Sequence, residues 1–88
     1  MAHILAQLTG VKLADVQQQL EKDAADHAKQ GMVLEHLWQN AEAPAEVLFL
    51  FQVKDLAHCR QRTKKIHAQA RQENPDVQLP EMTFLEGL

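Results

Sequence analysis

The side chains of this 88-residue chain that can do more than pack are His3, His27, His36, His58 and His67, the single Cys59 and the single Trp38. An imidazole titrates near neutral pH, so each histidine is a candidate base, hydrogen-bond partner or metal ligand. No two histidines stand four apart, the spacing that puts two ligands on one helix face, and no native metal site is expected. His27, His58 and His67 fall in helical stretches and are expected in solvent. Cys59 lies near the start of such a stretch, where the helix dipole favours a thiolate, but also on its inner stripe, and it reads as a small buried apolar residue. His36 and Trp38 are two apart and share a face if their segment is a strand. With His3, Gln7 and Gln52 they form the candidate ligand-binding group, in which His36 is the candidate base beside amides and an indole. The same residues also suit an interface, because interfaces favour aromatics without any catalysis.

The elements that must position these residues follow from apolar periodicity. Ile4, Ala6 and Leu8 alternate with His3, Leu5, Gln7 and Thr9 before Gly10, which is a strand pattern. From Val16 the period becomes helical, with Val16, Leu20, Ala24 and Ala28 as one face. Asp15 and Gln18 resemble a capping box, and Gly31 supplies a left-handed stop, so the first helix is expected over about Val16 to Gln30. Met32 to Asn40 alternates again, with Leu34, His36 and Trp38 on one side. Ala41 to Ala45, carrying Pro44, interrupts. Val47 to Val53 is apolar on both faces and therefore a central strand. Asp55 is a good N-cap for a helix whose inner stripe is Leu56, Cys59, Thr63, Ile66 and Ala70, ending near Gln72 before Pro75. A last short strand spans Glu81 to Leu85.

The order strand, helix, strand, strand, helix, strand is the ferredoxin-like βαββαβ arrangement, an α+β fold in a single domain spanning residues 1–88. Right-handed crossovers place both helices on one face of a four-stranded antiparallel sheet. The opposite face then carries Leu5, Leu48 and Leu50. A five-residue hairpin loop sets Trp38 across from Leu48 and His36 across from Leu50. A face this apolar needs a cover, and the expected partner is a second copy, giving a homodimer through the sheets.

Composition bounds the remaining partners. The chain is 45% hydrophobic and 24% charged with net charge -3 and a pI near 5.9, which argues against nucleic acid and anionic membranes. Arg60, Arg62, Lys64, Lys65 and Arg71 make the second helix basic, a pattern read as a solvated face balanced by Glu21, Asp23 and Asp26. RNA-recognition domains share the element order but need stacking aromatics on both central strands, and the first strand has none. No apolar run reaches the ~20 residues of a membrane span, no signal peptide opens the chain, and a lone cysteine suits a reducing compartment, so a cytoplasmic location is expected.

The chain resembles the dimeric α+β barrel superfamily, and within it the antibiotic biosynthesis monooxygenase-like small proteins. The Gly31-Met32 junction, the run from Leu37 through Pro44 to Phe51, the Asp55-Leu56-Ala57 helix start and the ending Pro80 to Leu85 carry the resemblance. It implies a dimeric α+β barrel. Members include cofactor-free oxygenases, haem-degrading oxygenases, lactone isomerases and proteins without a known reaction. The haem-degrading branch places an Asn on the first strand and a Trp on the third, where this chain has Gln7 and Phe49 or Phe51; His67 is the only match to its histidine near the second helix. The chain has no Tyr to supply a phenol. No cofactor is expected. Two functions follow: a dimeric barrel protein binding a small apolar or aromatic molecule without an assigned reaction, and a cofactor-free monooxygenase-like enzyme acting on a small aromatic substrate.

Overall fold

Alternating apolar and polar residues place one set of side chains on each face of an antiparallel sheet, and here four strands use that alternation around two helices. The computed structural model describes residues 1–87. The elements are β1 (Ala2–Leu8), α1 (Leu13–Lys29), β2 (Met32–Gln39), β3 (Val47–Val53), α2 (Leu56–Glu73) and β4 (Glu81–Glu86). The sheet order is β2-β3-β1-β4, so the two most apolar strands are central, as the ferredoxin-like reading requires. All pairings are antiparallel. Ile4 and Ala6 on β1 and Val47, Phe49, Phe51 and Val53 on β3 point into the core, which Val16, Met32 and Cys59 complete. The helices cover this face only.

Three local features differ from the sequence reading. Helix α1 starts one turn early, at Leu13, with Lys12 at the N-cap and no side-chain cap, rather than at an Asp15 capping box. The backbone closes that turn instead: the Asp15 and Val16 amides donate to the Lys12 carbonyl, and the Val11 amide donates to the Ala45 carbonyl. Asp15 then stands in the first turn, where its charge complements the helix dipole.

The second difference is the inner stripe of α1. Ala24 and Ala28 are exposed, while Asp23 and His27 are half-buried. A strict spacing of four drifts about 40° per step from a 3.6-residue turn. The true inward line is therefore Val16, Leu20, Asp23, His27.

The third is on β2, where Leu34 pairs with Phe51 but His36 pairs with Leu50. Glu35 is thus an extra residue, a β-bulge. It sends Leu34 toward the helices and leaves His36 and Trp38 on the open face, so these three do not share a side. Elsewhere the local signals act as expected. Gly31 ends α1 with φ +74°, and the Asp55 carboxylate caps α2 by accepting from the His58 amide at 3.0 Å.

Candidate functional site

Two surfaces of the sheet carry the chemistry-bearing residues, and they are separate. On the open face, Trp38 lies opposite Leu48 and His36 opposite Leu50, while Leu5 pairs with Leu50 on one side and Thr83 on the other. The His36 and Trp38 rings stack at 4.8 Å with an interplanar angle of 13°. His3 Nε2 meets the bulged Glu35 carboxylate at 2.9 Å. The Gln7 amide donates to Glu46 at 2.6 Å, and the same carboxylate receives the Asn40 amide at 3.2 Å. Gln52 donates to the Met1 sulfur. His3, Gln7, His36, Trp38 and Gln52 therefore share one face but not one recess: His36 and Trp38 touch each other, and the other three are engaged elsewhere. Trp38 is 46% exposed and Val33 57% exposed, an apolar surface of the kind that marks an interaction site.

The other surface is the helix-covered one. A cavity of about 810 Å³ separates the helices from the sheet, with Val16 and Leu20 from α1, Phe49 and Phe51 from β3, Ile66 from α2 and Met82 from β4 in its wall. Among its polar lining residues are His27, His67 and the Arg62–Asp26 pair. None of the five open-face residues lines it. A neighbouring groove of about 510 Å³ runs between α1 and β2 and is lined in part by His36, with Leu20, His27, Met32 and Phe51 common to both spaces.

The helices hold the cavity open by meeting at one end. Arg62 Nη2 reaches Asp26 Oδ2 at 2.9 Å. His58 Nε2 pairs with Gln30 Oε1 at 2.7 Å, and the Cys59 thiol approaches the Gln30 carbonyl at 3.5 Å. All three contacts join the C-terminal end of α1 to the N-terminal half of α2. Lys12, Asp15, Leu79 and Pro80 also line the cavity, and the Gln78 amide bonds the Thr9 carbonyl.

His27 and His67 thus stand in the cavity wall, half-buried, rather than in solvent as their helical positions suggested. His27 meets Phe51 edge to face with ring centroids 4.9 Å apart. Burial, helped by the Arg71 guanidinium, lowers the His67 pKa and favours its neutral imidazole. Cys59 is 1% exposed. Burial and the neighbouring Asp55 carboxylate raise its pKa, outweighing Arg62, so it stands as a thiol and is no activated nucleophile. Among the described residues, no three His, Cys, Asp or Glu side chains converge as metal ligands would, and no helix is long and apolar enough to cross a membrane. The signal that could have found the α1 part of this wall is the stripe itself: followed at 3.6 residues per turn, it runs from Val16 through Leu20 and Asp23 to His27.

No protein-family model matches the chain, and no curated protein does. Solved structures do. An antibiotic biosynthesis monooxygenase-like protein from Deinococcus radiodurans superposes with a TM-score of 0.64 at 16% identity, covering 100% of this chain and 93% of that one. A NIPSNAP domain protein from Burkholderia xenovorans gives a TM-score of 0.57 at 18% identity, covering 100% and 95%. Both have the fold of the dimeric α+β barrel superfamily, so the resemblance read from the sequence holds at the level of fold.

Proposed function

We infer that this protein binds a small apolar or aromatic molecule in the cavity between helices and sheet, and does so as a homodimer joined through the open sheet faces. The observation that carries the reading is the cavity itself: about 810 Å³, within the range of small-molecule sites, with a mostly apolar surface from residues such as Val16, Phe49, Phe51 and Met82, and with charged and polar side chains, Asp15, Asp23 and Arg62 among them, also in its lining. His27 and His67 are the polar groups placed to orient a bound ring. The apolar face bearing Leu5, Leu48, Leu50 and Trp38 supports the dimer. In this assembly His36 and Trp38 pack between protomers, and His3, Gln7 and Gln52 form a polar rim.

A second reading, a monooxygenase-like enzyme acting on a small aromatic substrate, is favoured by one specific observation. His67 stands at the cavity wall, where burial and Arg71 lower its pKa and favour the neutral imidazole, the state in which a base can accept a phenolic proton. The Deinococcus radiodurans neighbour fits it, but at 16% identity that likeness speaks for fold alone.

Titration with the fluorescent, uncharged N-phenyl-1-naphthylamine tests the binding reading. Saturable binding is expected, weakened at least about tenfold by Ile66→Trp, which adds bulk at the cavity wall. Binding lost in His36→Gln but untouched by Ile66→Trp would move the site to the open face. Oxygen uptake with 2-naphthol, abolished in His67→Gln, separates the enzyme from the binding protein.

A further inference from the structure

On the far side of α2 from α1 lies a recess of about 360 Å³ between this helix and β4. Thr63, His67, Pro80 and Met82 line both this recess and the large cavity, so the two spaces share one wall. Lys64, His67 and Arg71, at helical spacings of three and four, face the recess together. Of the cations lining either space, Arg62 is committed to Asp26 at 2.9 Å, and Lys12 stands at the start of α1. Among the described residues, Lys64 and Arg71 make no ion pair, and neither does Glu81, the carboxylate of the recess. Within the recess two unpaired cations therefore outnumber one carboxylate, whereas the carboxylates of the large cavity, Asp15, Asp23 and Asp26, all stand on α1. Arg60 lies over the ring of Phe84, 5.8 Å from its centroid, adding positive charge along the same edge. His67 stands in the wall shared by the two spaces, where burial and the neighbouring Arg71 lower its pKa, and its imidazole N–H can donate a hydrogen bond to a group passing between them.

Resting on the reading of the large cavity as a ligand site, we propose that the ligand is an aromatic or apolar acid: its ring system occupies the cavity, and its anionic group passes His67 to reach Lys64 and Arg71. Arg71 offers a planar fork that fits a carboxylate or sulfonate, and Lys64 offers a mobile point charge. Neither an uncharged ring compound nor a polyanion such as RNA uses both spaces. The first leaves the cations without a partner. The second carries far more negative charge than two cations can meet, on a chain whose net charge of -3 repels it.

Two probes with the same rings test this. 8-Anilinonaphthalene-1-sulfonate carries a sulfonate that N-phenyl-1-naphthylamine lacks. The wild-type protein should bind the sulfonate about tenfold or more tightly than the uncharged compound, the two should compete, and added salt should narrow the gap. Lys64→Gln with Arg71→Gln should erase the preference and leave N-phenyl-1-naphthylamine binding unchanged. The uncharged probe thereby reports that the fold and cavity survive. Lys29→Gln with Lys65→Gln removes the same charge elsewhere and should preserve the preference. Equal affinity for both probes, a preference untouched by the Lys64 and Arg71 changes, or sulfonate binding that does not compete with the uncharged probe would each overturn the anion proposal alone. Failure of both probes to bind would overturn the cavity reading with it.

Discussion

His67 and Cys59 line one cavity and respond to burial in opposite directions, because one is charged when protonated and the other when deprotonated. For His67 the folded pKa lies below the unfolded value, so the unfolded chain binds more protons between the two. Its stabilising contribution is full above the ordinary histidine pKa of about 6.5 and is lost as pH falls through the folded pKa. Urea unfolding at pH 5 and pH 7.5 should show that loss, and His67→Gln should flatten it. The thiol has the reverse sign. Its contribution is full below the ordinary value of 9.0 and is lost as pH rises above it. At pH 8 the native protein should react slowly with a thiol reagent that modifies the urea-unfolded chain at once. Ile4 is fully buried, and Ile4→Ala should cost about 2 to 5 kcal/mol by the same denaturation measurement.

The elements themselves were legible because each has its own local signal. The strands β1 and β2 alternate, β3 is apolar on both faces, Gly31 stops α1, and Asp55 starts α2. Asp55→Ala removes the acceptor for the His58 amide and should destabilise the protein by about 1 kcal/mol. Gly31→Ala forces a Cβ at φ +74°, 3.3 Å from the Lys54 Cβ, and should cost at least about 1 kcal/mol. What the sequence concealed lay between elements. Polar Asp23 and His27 hid the inward line of α1, since an apolar pattern cannot mark a stripe that borders a cavity. The bulge at Glu35 has no glycine or proline to announce it and became visible only through the pairing with Phe51 and Leu50. His27 and His67 in the cavity wall were therefore missed, although each sits on a helix that the sequence placed.

At the scale of the whole molecule, the helices cover one face of the sheet, and the other, bearing Leu5, Leu48, Leu50 and Trp38, is the face on which the proposed homodimer would form. The protomer is 10.0 kDa, and light scattering should return roughly twice that mass at micromolar concentration. Leu50→Lys places an unpaired charge at the centre of the open face and should yield monomer or unfolded chain. Trp38 is the only indole and there is no Tyr, so its emission reports this face alone. Emission should be blue-shifted and shielded from iodide in the dimer, and should shift to the red in Leu50→Lys. A stable monomer with solvent-like emission in the unmodified protein would contradict the assembly while leaving the cavity intact.

The bulge also bears on how the chain can change in length. Removing one residue from a strand normally inverts every side chain downstream. On β2, deletion of Glu35 would instead leave Leu34 and Leu37 facing inward and His36 and Trp38 facing outward, because Glu35 is the one residue without a place in the alternation. Deletion of the adjacent Leu34 or His36 would be compensated only by straightening the bulge. Deletions beyond it have no such reserve. A one-residue gap at this position is the length difference that variants of this chain should accept most readily, at the expense of the His3–Glu35 contact.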